Sequence, residues 1–147
     1  MIKHMLTLLL SAVILSSCST ETQRYYIKNN LDEDLILKAY DNVNGNQSEE
    51  FNLLKNDRLL IYELSSRDGQ RLVDISPSNA LNGFFDIPRA DSIVFIFQSG
   101  RAYSTILDNT INSLNIYYDV NWEMTETDKN VRDWVFQITQ EHKDAAQ

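Results

Sequence analysis

The chain has 147 residues, 13 Lys and Arg against 21 Asp and Glu, a net charge of −8, two histidines and a single cysteine. That length suits one domain burying roughly two-thirds of the surface its unfolded chain exposes. The acidic balance excludes binding nucleic acid or anionic lipid by bulk attraction, which needs a basic face, and one cysteine excludes an intramolecular disulfide.

Met5 to Leu15 is apolar except for Thr7 and Ser11, with Lys3 the only firm positive charge near it. A run this short does not span a bilayer and matches the core of a secretory signal. It ends in Leu15-Ser16-Ser17-Cys18, which resembles the bacterial lipobox at all four positions: a branched aliphatic residue, two small residues and a cysteine. The resemblance implies that residues 1–17 are a signal peptide that is removed. It also implies that Cys18 is lipidated and that the mature chain, at −9 once Lys3 is lost, is anchored in a membrane. Each buried methylene contributes roughly 0.8 kcal/mol, so two or three acyl chains make release negligible. Ser19, where an aspartate would retain the protein at the inner membrane, implies the outer membrane, with the periplasmic side favoured over the cell surface. Residues 18–23 form a tether reaching at most roughly 20 Å, which keeps the domain at 24–147 close to the lipid.

The mature region reads as strands. Tyr25 to Asn29 and Asp34 to Tyr40 are rich in aromatic and branched residues and predict a hairpin across Asn30-Leu31-Asp32-Glu33. Asp41 to Ser48, with three Asn and Gly45, is a loop, and Phe51 to Leu54 and Leu59 to Leu64 predict a second pair across Lys55-Asn56-Asp57. Arg71 to Ile75 follows the Asp68-Gly69 turn. Ser76 to Asp91, with both prolines, Gly83 and Phe84-Phe85, reads as the longest irregular stretch. Ile93-Val94-Phe95-Ile96-Phe97 is apolar throughout, which predicts a central strand covered on both faces. Gln98-Ser99-Gly100-Arg101 turns it into Ala102 to Leu107.

From Leu114 to Thr125 apolar residues alternate strictly with polar ones and with Tyr117. This period of two predicts a strand with a bend or break near Asp119 to Asn121, its Tyr118 and Trp122 inside and Tyr117 outside. Thr127 to Asn130 turns into Val131 to Ile138, which puts Trp134, Phe136 and Ile138 on one face, and Thr139 caps a short helix through Ala146.

Eight to ten short strands without an internal repeat predict an all-β fold: a single antiparallel β-sandwich with a short C-terminal helix, or else a small β-barrel. The first hairpin, the run at Asp91 to Phe97 with its turn and return strand, and the Trp134 to Thr139 segment before an acidic helix together resemble small uncharacterised bacterial cell-envelope lipoproteins. The resemblance implies an immunoglobulin-like fold and carries no assigned activity.

Little in this pattern carries chemistry. With His4 in the leader, His142 is the one histidine left, expected as a solvated residue of the terminal helix with no Cys or His spaced to share a zinc ion. The glycines stand isolated, so no loop cradles phosphate. Asp41-Asn42-Val43-Asn44-Gly45-Asn46 lacks the alternating acids and the downstream Glu of a calcium loop and reads as turn chemistry. No enzyme, metal or cofactor is therefore expected.

Tyr117, read as an exposed ring on a strand, offers a face on which a sugar stacks, the basis for a carbohydrate-binding accessory role. Ser99-Gly100-Arg101-Ala102-Tyr103 is similar to the Ser-Gly-x-x-Tyr segment of the membrane-bound lysozyme inhibitors, whose loop enters the lysozyme cleft. That likeness implies contacts from Ser99, Gly100 and Tyr103, and an acidic chain suits a basic enzyme. That family also carries a disulfide, which a single cysteine does not provide. The leading expectation is a lipid-anchored cell-envelope protein with a non-enzymatic binding or structural role, its partner the membrane together with an envelope protein or glycan, and not nucleic acid.

Overall fold

The computed structural model describes residues 20–66, 72–73, 75–107 and 112–147. Cys18 with its lipobox, and the Asp68-Gly69 turn, lie outside the described residues. The strands are β1 Thr22–Asn29, β2 Leu35–Asp41, β3 Asn46–Gln47, β4 Phe51–Leu53, β5 Arg58–Ser65, β6 Ser92–Phe97, β7 Ala102–Ile106, β8 Trp122–Asp128 and β9 Val131–Ile138. Helix α1 is Pro77–Phe85, α2 is Gln140–Asp144, and a 3-10 turn covers Asp119–Asn121.

One sheet has the order β5-β1-β9-β8; the other runs β3-β2-β6-β7, with β4 also paired to β2. The fold is a β-sandwich. Each sheet keeps free edges, so no barrel closes. No helix among the described residues is long and apolar enough to cross a membrane.

Alternation builds both layers. In β1 the side chains of Gln23, Tyr25, Ile27 and Asn29 are buried, and in β2 those of Leu35, Leu37, Ala39 and Asp41. Ile27, Leu37, Ile93, Phe95, Phe136 and Ile138 meet between the sheets at 0–1 % exposure. Each such side chain contributes roughly 1.5–3 kcal/mol by leaving water. The sandwich is not antiparallel throughout: β1 runs parallel to β9 over eight pairs, from Thr22↔Val131 to Asn29↔Ile138. The first strand thus lies between β5 and the last strand, a pairing that no local turn announces.

Two predicted hairpins do not form. β1 pairs with β5 and β9, whereas β2 pairs with β3, β4 and β6, so the turn after Asn29 crosses between sheets; β4 and β5 are parted in the same way. Asn29 explains both crossings. Fully buried, it donates from Nδ2 to the carbonyls of Glu33 (2.8 Å), Leu53 (3.3 Å) and Leu54 (3.2 Å), and its Oδ1 accepts from the Leu31 amide (3.0 Å). One amide side chain thereby satisfies the backbone of two connections that have left the ladder. The hairpins β6–β7 and β8–β9 form as their turns predict.

Three further expectations need correction. Ser76 to Asp91 is irregular only after Phe85: Pro77 opens α1, where its missing amide costs nothing, and Ala80, Leu81 and Phe85 bury one face. Leu72, Val73 and Ile75 lie in no strand. The outward residues of β6, Val94 and Ile96, are half-buried, because no third layer among the described residues covers that face.

The long strand also begins later than its pattern suggests. Leu114 to Tyr118 turns, the 3-10 segment falls at Asp119–Asn121, and the strand starts at Trp122. Ile116 and Tyr117 are both buried, which strand alternation forbids. The cause is asparagine. Asn115 accepts from the Tyr117 amide (3.0 Å) and donates to Ile106 O (2.8 Å), and Asn121 donates to Asn112 O (2.8 Å) and Asn115 O (2.7 Å). These side chains give the backbone partners that a neighbouring strand would otherwise supply.

Candidate functional site

Tyr25 points inward from β1 and is paired in register with Trp134 of β9; Trp122 of β8 lies opposite Phe136. This register groups three rings. Tyr25 and Trp134 are nearly parallel (9°) with centroids 6.1 Å apart, while Trp122 stands at 68° to Tyr25 at 5.9 Å. The rings therefore present two steeply inclined planes. Ile75 and Pro77, at the start of α1, and Asp119, in the 3-10 turn, complete a pocket of about 120 Å³.

The polar atoms of these rings are engaged or hidden. The Tyr25 hydroxyl donates to Ile75 O (2.9 Å), fixing the entry to α1 against the sheet, and Trp122 Nε1 donates to Ile116 O (2.8 Å). Trp134 Nε1 is buried without a hydrogen-bond partner among the described residues. Tyr25 and Trp122 are themselves 2 % and 5 % exposed, so the accessible wall is the half-buried Trp134 beside the exposed carboxylate of Asp119.

The residues singled out from the sequence lie elsewhere. Tyr117 is 7 % exposed, its hydroxyl donating to Ala90 O at 2.7 Å. Burial, aided by the charge of Asp91, pushes its phenol above the usual range. It has no free face for a sugar, and that reading of Tyr117 is withdrawn. Ser99 and Gly100 are exposed in a closed turn, with Gly100 N donating to Phe97 O (2.9 Å) and Phe97 N to Arg101 O (3.0 Å); Gly100 supplies the left-handed φ of 82°. Tyr103 does not join them at the surface: its half-buried ring packs on Phe95 (6.2 Å) and His142 (5.5 Å). Cys18 lies outside the described residues.

His142 is also corrected, from solvated to 2 % exposed. The Thr139 amide donates to its Nδ1 (3.2 Å), which leaves the ring proton on Nε2, donated to Leu114 O (3.2 Å). Histidine here takes the third helical position that Glu or Gln fills in the usual capping box. Burial lowers its pKa to about 4, opposed only by the bond to Leu114. A neutral ring bonded at both nitrogens is not available as a general base.

Two charged groupings are likewise paired from within, although the buried Asp133 Oδ2 accepts no hydrogen bond among the described residues. The Asp41 carboxylate accepts from Asn44 N (3.0 Å), Asn44 Nδ2 (2.8 Å) and Asn46 Nδ2 (3.5 Å), and the Asn44 side chain leads in lowering its pKa. On the outer face of the first sheet, Asp133 is buried against Arg24 (2.8 Å) and Arg58 (3.7 Å), whose guanidinium groups lie 5.9 and 4.4 Å from the Tyr26 ring. No group of three or more His, Cys, Asp or Glu among the described residues is placed to hold a metal.

The pocket was only partly legible in the sequence. Trp122 and Trp134 are the chain's two tryptophans, and the hairpin turn between them sets them diagonally on one face. Ile75, Pro77 and Asp119 come from segments read as irregular or as mid-strand, so nothing marked them as its rim. Compared with known proteins, the chain matches no family model, no curated protein and no solved structure.

Proposed function

We propose that this is a lipid-anchored protein of the bacterial cell envelope, of the small lipoprotein kind, whose sandwich binds a ligand rather than converting one. The observation that carries the reading is Leu15-Ser16-Ser17-Cys18, which ends an apolar leader just ahead of β1 at Thr22. Lipidation at Cys18 would leave three residues before the first strand, holding the folded domain at the membrane surface. Ser19 favours the outer membrane, on its periplasmic side. A binding role is supported by the pocket on the first sheet, where Trp122, Trp134 and the exposed Asp119 meet the lead-in to α1.

Replacement of Cys18 by Ser in the full chain tests the anchor. The expected result is loss of labelling by a palmitate analogue and either release from the membrane fraction or accumulation of the uncut precursor. Unchanged labelling, leader removal and membrane fractionation would overturn the proposal.

A further inference from the structure

We infer that the groove between the β3–β4 edge of the second sheet and the C-terminal end of α1 binds a basic peptide segment, taking a Lys or Arg side chain together with an apolar neighbour. The groove shares no residue with the pocket at Trp122, so the inference goes beyond the binding role proposed above and is independent of the anchor.

Its floor follows from where two elements meet. Phe51, paired with Leu37 at the start of β4, packs on Phe84 (4.6 Å) and Phe85 (5.4 Å) in the last turn of α1. Phe85 and Ile87 are buried at 3 % and 8 % exposure, whereas Phe51 and Phe84 are half-buried and leave part of each ring at the surface. With Glu49 and Asp86 on the rim, these residues line a cleft of about 310 Å³, close to the roughly 300 Å³ at which clefts begin to hold ligands. It admits a side chain or two.

The rim is acidic and unpaired. Glu49 and Asp86 are exposed, and neither carboxylate makes a hydrogen bond or an ion pair among the described residues. The adjacent charges pair elsewhere, Glu50 with Lys38 (3.4 Å) and Arg89 with Asp91 (3.9 Å). Asp86 also ends α1 in the left-handed region, at φ 49°, with no basic residue in the last turn. A helix C-terminus carries partial negative charge, which a carboxylate there aggravates and a cation relieves. The net charge of −8 draws cations toward the chain. A neutral polyol would leave both carboxylates uncompensated, whereas a basic residue beside an apolar one meets the acids and the Phe faces together.

The test is fluorescence anisotropy on the membrane-extracted full chain in a nonionic detergent, with the signal of protein-free micelles subtracted. The probe is a fluorescein-labelled pentapeptide of alternating lysine and leucine, compared with lysine–serine and glutamate–leucine counterparts and with spermidine as an unlabelled competitor. The expected result is saturable binding of the lysine–leucine peptide, weaker by roughly tenfold or more for either counterpart. Glu49→Gln combined with Asp86→Asn should weaken it severalfold without lowering the urea midpoint, because both positions are exposed and Asn tolerates the left-handed backbone of Asp86. Removing the same charge from the other sheet, by Glu126→Gln with Asp128→Asn on β8, should leave binding unchanged.

Equal weakening by the two double variants would show diffuse attraction in place of a site. Binding of the lysine–serine peptide or of spermidine as tight as that of the lysine–leucine peptide would show that the Phe floor takes no part. Either result overturns the inference, as does full retention in the Glu49 and Asp86 variant or no saturable binding above the micelle background. Membrane fractionation of Cys18→Ser reads the anchor separately, so each proposal can fail alone.

Discussion

Two aromatic clusters, joined where Trp122 meets Phe136 at 5.7 Å, end differently. Around Phe95, the rings of Tyr103, Phe136 and His142 pack at 5.5–6.2 Å, and α2 closes the group by setting His142 into it. Around Tyr25, the rings of Trp122 and Trp134 are as close, yet the elements above them are the lead-in to α1 and a 3-10 turn, and a pocket remains. Trp134 and Phe136 are two residues apart on one face of β9, so the strand treats both alike. The segment that arrives from elsewhere in the chain decides which cluster closes and which keeps a pocket.

The comparison is broken most forcefully at its closed end. Phe95 is fully buried against three rings, and Phe95→Ala removes those contacts and leaves a cavity, costing about 3–5 kcal/mol in urea unfolding. Trp134→Phe at the open end should cost only about 1 kcal/mol, since the indole N–H it removes is already buried without an acceptor. Equal losses at the two positions would mean that the pocket is closed in solution.

Acid separates the clusters next. His142 has a pKa of about 4 in the folded protein against roughly 6.5 when unfolded. Between those values the unfolded chain binds more protons than the native one, so stability falls as pH falls. Above pH 6.5 the group contributes no pH dependence; by pH 4 the native state has lost roughly 3 kcal/mol through this residue. The measurement is the stability gap between the parent and His142→Gln against pH, in which the shared carboxylates cancel. The parent's advantage should shrink from pH 6.5 to 4, and a flat gap would show that the histidine is hydrated.

What the sequence disclosed and concealed follows the same division. Alternation over Val131 to Ile138 disclosed the face of β9 that carries Phe136 and Ile138, and tight turns disclosed the hairpins β6–β7 and β8–β9, because both signals are local. Asn29 and Asn115 did their work invisibly: each was counted as a strand residue, Asn29 ending the first strand and Asn115 a polar position of the long one, whereas each bonds backbone groups of separate segments and so directs the chain between sheets or out of a strand. Pro77 read as a breaker although the spacing of Ala80, Leu81 and Phe85 is helical. The rings of the pocket were visible as core candidates. Their openness was not, since it depends on what fails to cover them.

The smallest expected effect concerns Tyr117, the aromatic residue that the sequence put forward and the fold withdrew. Its hydroxyl donates to Ala90 O at 2.7 Å in a buried setting, and Tyr117→Phe keeps the ring while leaving that carbonyl short of a partner. The cost should be about 1–2 kcal/mol, read as a lower urea midpoint with an unchanged slope. A Tyr117→Phe variant with the parent's midpoint would show that the Ala90 carbonyl finds another donor and that the ring alone holds this position.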